Sequence, residues 1–122
     1  SWEFDPERPI YSQLMERISL FVVSGVYPPG SRLPSVRELA AEARVNPNTM
    51  QRALAELENT GLVYSERTAG RFVTQDRELI EGGKKMLAQQ VIEEFFRRME
   101  QLGMSRETAL GLAAVVAKEE QA

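Results

Sequence analysis

Cysteine and histidine are both missing from the 122 residues. Their absence excludes disulfides, Cys/His zinc sites, Ser-His-Asp triads and imidazole acid–base chemistry. A cysteine-free chain fits a reducing compartment, so a cytoplasmic location is expected. Long apolar runs are lacking as well. None reaches the ~18 residues of a bilayer span, so no membrane partner is expected. The opening stretch SWEFDPERP is acidic and has no apolar h-region, so no signal peptide is expected. No phosphate-cradling glycine loop and no nucleophile–base pair stand out, which makes an enzyme the weakest reading. Positive charge is scarce overall, with a net charge of −3. That balance argues against non-specific nucleic-acid binding. Its distribution says more. Residues 31–73 hold six arginines, no lysine and five acids, a local charge of +1. The segments on either side each carry −2. Sites are read by local placement of arginine rather than by the total.

What is present is helical periodicity, punctuated by proline and glycine. Ile10, Leu14, Met15, Ile18, Phe21 and Val22 recur at steps of three and four behind Pro9, predicting a helix over about 9–25. Gly25 and Pro28-Pro29-Gly30 end it. Ser31-Arg32-Leu33 before Pro34 reads as a short extended piece, because the residue before proline is pushed out of the α region. Ser35 and Glu38 have the spacing of a capping box. Val36, Leu39, Ala40 and Ala43 then give a narrow stripe of mostly small side chains, a second helix over about 35–43. Asn46 is a good N-cap and Pro47 a good first residue. Met50, Ala53, Leu54 and Leu57 predict a third helix over about 47–59, closed by Gly61. Two short helices joined by about three residues form a helix-turn-helix arrangement. Residues 62–66 and 71–74 read as two strands of a hairpin turning at Arg67-Thr68-Ala69-Gly70.

The third helix raises the functional question. Asn48, Gln51, Arg52 and Ala55 fall opposite its apolar stripe, with Thr49 beside them. Amides pair with adenine edges, guanidinium with guanine, and a threonine methyl with thymine. The helix start is also expected to offer unpaired backbone N–H groups to a phosphate. Arg37 opens the second helix, where it could clamp a DNA backbone. Arg67 and Arg71 flank the hairpin turn, within reach of a phosphate or the minor groove. For one isolated helix the bland alternative, a polar face turned to water, is the commoner case. The order of elements, rather than any single one, favours the sharper reading.

At this point the segment from Pro28 to Val73 resembles the winged helix-turn-helix domain of GntR-type transcriptional regulators. The resemblance is carried by PxGxxLPS-x-RELA from Pro29 to Ala40, VN-x-NT from Val45 to Thr49, and the hairpin ending Gly70-Arg71-Phe72-Val73. The lead-in Pro9-Ile10-Tyr11-Ser12-Gln13 matches too, so the likeness covers about residues 4–74. The length resembles the short YtrA-type subgroup, with no room for the larger effector-binding or aminotransferase-like domains of other members. The resemblance implies DNA contacts from Arg37, Asn46, Asn48, Thr49, Gln51, Arg52, Arg67 and Gly70. Two wing positions depart from the family pattern. Thr68 stands where a glycine is usual, and takes φ > 0 less readily. Ala69 replaces a common basic residue, and Arg71 is the neighbouring cation that could compensate.

Beyond Asp76 the composition changes. Ala88, Ile92, Phe95, Met99 and Leu102 repeat at helical steps, with Leu87, Val91 and Phe96 beside them. Ser105 caps a further helix in which Ala109, Leu112, Ala113 and Val116 share a face. Two helices are expected, about 77–102 and 106–119, with Gly82-Gly83 as a weak point or the true start of the first, since each glycine costs roughly 1 kcal/mol of helix stability. So broad an apolar face packs either on the first helix of its own chain or on a second copy. The surplus favours a homodimer through Ala88, Ile92, Phe95, Phe96, Met99, Leu102, Leu112 and Val116. Glu93, Glu94, Glu100 and Glu107 form no recognisable metal-ligand set. Glu93–Arg97 and Glu94–Arg98 instead have the spacing of helical ion pairs. No cofactor is expected, and a small-molecule effector is not legible.

The expected fold is mainly α with a small β-hairpin: a winged helix-turn-helix domain over 1–75 and a two-helix dimerisation region over 76–122. The leading functional reading is a dimeric, sequence-specific transcriptional regulator of double-stranded DNA, with repression favoured and an inverted-repeat operator expected. A protein-interaction module that kept the winged fold but lost DNA binding is the competing one.

Overall fold

The computed structural model describes residues 2–121, and side chains as far as residue 119. The element order is α1 (Ile10–Val23), α2 (Val36–Ala43), α3 (Pro47–Thr60), β1 (Val63–Glu66), β2 (Gly70–Val73), α4 (Arg77–Gln101) and α5 (Arg106–Gln121). The chain divides into two compact units, one through Leu87 and one from Ala88.

The first unit is built on one apolar core. Leu14, Ile18 and Val22 of α1 pack with Leu39, Ala40 and Ala43 of α2 and with Met50, Ala53, Leu54 and Leu57 of α3. These are the periodic stripes of the sequence, each turned inward. Burying a Leu or Met side chain contributes about 1.5–3 kcal/mol before conformational entropy is counted. The N-terminal segment is tied to α1 by Gln13, which is buried. Its Nε2 donates to the carbonyls of Asp5 and Arg8 at 2.8 and 3.1 Å, and its Oε1 accepts from the Asp5 N–H at 2.7 Å. Phe21 of α1 stacks edge to face with Trp2 and with Tyr27, with ring centroids 5.6 and 5.4 Å apart. Burial pushes the Tyr27 hydroxyl above its ordinary pKa, with the charge of Glu42 adding to the shift.

Local chemistry sets the helix ends. Ser35 Oγ accepts from the Glu38 N–H, and the Glu38 carboxylate accepts from the Ser35 N–H, both at 3.1 Å. That is the capping box expected from the sequence. These bonds to Ser35, backbone first, hold the Glu38 carboxyl below its usual pKa. α2 ends on Arg44, which adopts a left-handed conformation with φ 59°. The Arg44 N–H bonds to the Ala41 carbonyl and the Val45 N–H to the Ala40 carbonyl. This Schellman turn reverses the chain within three residues and aims it into α3.

β1 and β2 pair antiparallel, with Val63 opposite Val73 and Tyr64 opposite Phe72. The extended piece at residues 31–33 lies on the other edge of β2. The Leu33 N–H bonds to the Arg71 carbonyl and the Val73 N–H to the Ser31 carbonyl, both at 2.9 Å, and Arg32 forms a bridge with Phe72. Val63, Val73 and Leu33 face the core. Side chains alternate across a strand, so Arg32, Tyr64 and Phe72 share the outer face.

Gly82-Gly83 is not the start of α4. The helix begins at Arg77, where Asp76 Oδ1 accepts from the N–H of Glu78 at 3.0 Å. The two glycines sit in different surroundings. A Cβ on Gly82 would meet nothing within 4 Å. One on Gly83 would lie 3.2 Å from Leu62 Cδ1 and 3.4 Å from Val23 Cγ1. Gly83 therefore lets α4 approach the core closely, and the contact it permits compensates for its poor helix propensity.

In the second unit, Ser105 caps α5 by accepting from the Thr108 N–H at 3.1 Å. Ala109 is fully buried, and the Phe95 and Phe96 rings stand 5.3 Å apart. Arg97 turns to Glu94 rather than to Glu93, and Glu94 also binds Arg98 at 3.1 Å. One carboxylate thus serves both arginines, and the expected Glu93–Arg97 pair is not formed. Large apolar side chains remain open, among them Val91, Ile92, Leu102, Leu110 and Val115.

Gly82→Ala is expected to raise the urea midpoint, by an amount equivalent to about 1 kcal/mol. Gly83→Ala should gain clearly less, because Leu62 and Val23 must yield space. Equal gains would show that the close approach at Gly83 carries no energetic weight.

Candidate nucleic-acid interface

α3 presents its polar flank because its other flank is fully committed to the core. Met50 and Ala53 have no exposed surface, and Leu54 and Leu57 are about 1% exposed. Asn48, Gln51, Arg52 and Ala55 are exposed on the far side, and Thr49 is half-buried. Asn46 precedes them as N-cap. Its Oδ1 accepts from the Asn48 N–H at 2.7 Å. The N–H groups of Thr49 and Met50 reach the Asn46 carbonyl at 3.0 and 3.1 Å, and Pro47 has none. The first turn of α3 therefore lacks the unpaired N–H groups expected from the sequence. Anion attraction here falls to side chains instead. Asn46 remains exposed, with its oxygen engaged in the cap.

Arg52 is exposed, yet it is not loose. Its guanidinium carbon lies 3.7 Å from the centroid of the Tyr11 ring. A guanidinium over an aromatic face is attracted by the ring quadrupole, by roughly 0.5–1 kcal/mol at an exposed site. Tyr11 stands at the start of α1, so the contact joins the first helix to the polar flank of the third. It restricts the arginine's rotamers before any ligand arrives. Tyr11 belongs to the lead-in that carries part of the sequence resemblance, which does not assign it this role.

The arginines of residues 31–73 divide sharply. Arg71 is drawn inward: its side chain is 18% exposed, and Nη2 lies 3.7 Å from Glu58 Oε2. Its Nε is buried without a hydrogen-bond partner. Ser65 donates to the same Glu58 carboxylate. Glu58 thereby ties α3 to both strands of the hairpin. The other five, Arg32, Arg37, Arg44, Arg52 and Arg67, are exposed and form no ion pair among the described residues. Arg37 lies on the first turn of α2 and Arg67 on the hairpin turn. Unpaired guanidinium groups on a chain of net charge −3 make a local cationic surface that the total charge conceals.

The hairpin turn departs from ordinary backbone preference. Thr68 has φ 68°, a left-handed conformation that a β-branched residue rarely adopts. Its hydroxyl donates to the Arg67 carbonyl at 2.5 Å, and the Ala69 N–H closes the turn on the Glu66 carbonyl at 3.1 Å. Thr68 thus takes the conformation for which a glycine was expected. Gly70 follows with φ 112°.

A capped recognition-type helix, a hairpin wing and unpaired arginines on both make one arrangement. The family model described as bacterial regulatory proteins, gntR family, matches residues 10–73. The chain belongs to the GntR family. It is 38% identical over 108 residues to the uncharacterized HTH-type transcriptional regulator YhcF of Bacillus subtilis, covering 88% of this chain and 89% of that one. It is 36% identical over 93 residues to the HTH-type transcriptional repressor YtrA of the same organism, covering 73% and 72%. A GntR family transcriptional regulator from Listeria monocytogenes superposes with a TM-score of 0.79 at 42% identity, over 94% of this chain and 98% of the other. The DNA-binding domain of AraR, in complex with operator ORE1, matches 61% of this chain with a TM-score of 0.53 at 30% identity. This GntR chain is a DNA-binding transcriptional regulator and not an enzyme. Among its described residues no helix is long and apolar enough to cross a membrane.

In a double-mutant cycle of Tyr11→Leu and Arg52→Ala, followed by urea unfolding, the coupling energy is expected at about 0.5–1 kcal/mol. Strict additivity would mean that Arg52 gains nothing from the ring.

Proposed function

We propose that this GntR regulator is a dimeric repressor of the short YtrA type, acting in the cytoplasm on an inverted-repeat operator. The observation that carries the proposal is the flank of α3: Asn48, Thr49, Gln51 and Arg52 stand together on a helix whose opposite side is sealed into the core. An α-helix fits the major groove, and these side chains match base edges there. Arg52, steadied by Tyr11, is the principal base reader, with Asn48 and Gln51 beside it and Thr49 at the margin. Arg37 holds the DNA backbone from α2. Arg67 and Gly70 bring the wing to the neighbouring groove or phosphate. Asn46 contributes through the cap and its exposed amide. Arg71 serves the wing from beneath, through Glu58. Repression is supported by the similarity to YtrA, itself named a repressor.

Dimerisation rests on the second unit. Ile92, Leu102, Leu112 and Val116 are 51, 72, 42 and 46% exposed, and Phe95, Phe96 and Met99 are half-buried beside them. Ala88 lies on the same helix. A second copy is the simplest cover for so much apolar surface. Two-fold pairing sets two α3 helices on one duplex, with half-sites about one helical turn apart or more.

Selection of duplexes from a randomised library is the primary test, and a palindromic consensus is expected. On the selected duplex, Arg52→Ala should lose ~1–3 kcal/mol of binding by gel-shift titration with the fold intact. Unchanged affinity would remove Arg52 from base reading. For the dimer, Ile92→Glu combined with Val116→Glu should shift the sedimenting species from dimer to monomer. A double mutant that sediments as the wild type does would place the interface elsewhere.

A further inference from the structure

The hairpin turn carries a single cation of its own, Arg67. The fold brings a second to its root. Arg32 comes from the extended piece between α1 and α2 and stands opposite Phe72 on the outer face of the sheet. Its guanidinium runs along that face to Gly70, the first residue of β2. A Cβ built on Gly70 would lie 2.9 Å from Arg32 Nε, 3.4 Å from Nη2 and 3.5 Å from Cζ. The space left by the missing side chain is therefore the space the guanidinium occupies. Arg32 is exposed and pairs with no carboxylate among the described residues. The Glu38 carboxylate feels its charge without pairing with it, being engaged by the Ser35 N–H.

We propose that Arg32 is a phosphate-contacting residue of the wing, and that Gly70 is a positioning residue acting through it. The inference rests on the reading of this chain as a duplex-binding regulator. A guanidinium seated against Gly70 on an exposed side chain offers a planar fork that matches phosphate oxygens. It sits at the root of the turn rather than its tip, where the flanking backbone of a duplex passes a wing. Phosphate contacts position a protein without reading sequence, so Arg32 adds affinity but no base preference. The wing residue Ala69 brings no charge, and Arg71 is turned to Glu58. Arg32 and Arg67 are then the two cations the wing offers.

The test uses the full chain, the duplex selected from the randomised library and a scrambled duplex of equal length, with binding followed by fluorescence anisotropy across a salt series. Arg32→Ala and Arg32→Gln should each weaken binding about tenfold on both duplexes and lower the salt slope by about one per protomer. Arg32→Lys should keep most of that slope. Mutants that match the wild type, or that lose affinity with the slope unchanged, would overturn the phosphate role. Gly70→Ala should reproduce the slope change, and in the Arg32→Ala background it should add none; an added change would overturn the positioning role. Thermal melts by circular dichroism confine the comparison to temperatures at which every variant is folded. A wild-type chain that selects no duplex sinks the regulator reading and this inference together. One that selects a duplex while Arg32→Ala tracks it sinks the inference alone.

Discussion

The packing of Leu14, Ile18 and Val22 on α1 against Met50, Ala53, Leu54 and Leu57 on α3 is the constraint on which the rest of the first unit depends. A helix buried along one side has no rotational freedom left. Its opposite side is therefore a fixed surface, and Asn48, Gln51 and Arg52 are held at set angles to one another. The same packing puts Tyr11, one residue inside α1, under the Arg52 guanidinium. Base recognition by hydrogen bonds is sensitive to small displacements, so a rigid platform is the physical prerequisite for it. α2 contributes by being short and lined with alanine, which lets it lie close to α3 before the Schellman turn at Arg44 redirects the chain.

The wing is fastened to this platform by charge and by backbone. Glu58 on α3 accepts from Ser65 on β1 and faces Arg71 on β2, so one carboxylate gathers three elements. The piece at residues 31–33 adds hydrogen bonds along the outer edge of β2. The arginines are thereby sorted by topology. Alternation along β2 sends Arg71 toward α3 and Phe72 outward, and the bridge from Phe72 places Arg32 on the exposed side. A net charge of −3 coexists with DNA binding because five of the six arginines around the helix-turn-helix and wing form no ion pair among the described residues, while the segments on either side each carry −2.

The second unit follows different rules. Ala109 is its buried residue among those described, and its ion pairs either join neighbouring turns of α4, as Glu94 does with Arg97 and Arg98, or cross the turn to α5, as Glu100 does with Arg106 at 3.4 Å. Exposed pairs of this kind contribute little to stability. The helix pair keeps little interior of its own and leaves Val91, Ile92, Leu102, Leu110 and Val115 open to solvent.

The sequence by itself determined the helices, their caps and the polar face of α3. Those features are local: a capping box, an N-cap asparagine before proline, and apolar steps of three and four residues are each written within one or two turns. All seven elements lie within two residues of the expected bounds for that reason. Only the tertiary structure decided which arginines are free, because an ion pair such as Arg71 with Glu58, or the seat of Arg32 on Gly70, joins residues that periodicity cannot relate. It also decided the meaning of Gly83, where propensity foretold a weak point and packing against Leu62 and Val23 supplied a reason to keep a glycine in mid-helix. Local patterns carry short-range chemistry; the sorting of charge between core and surface depends on contacts made only once the chain has folded.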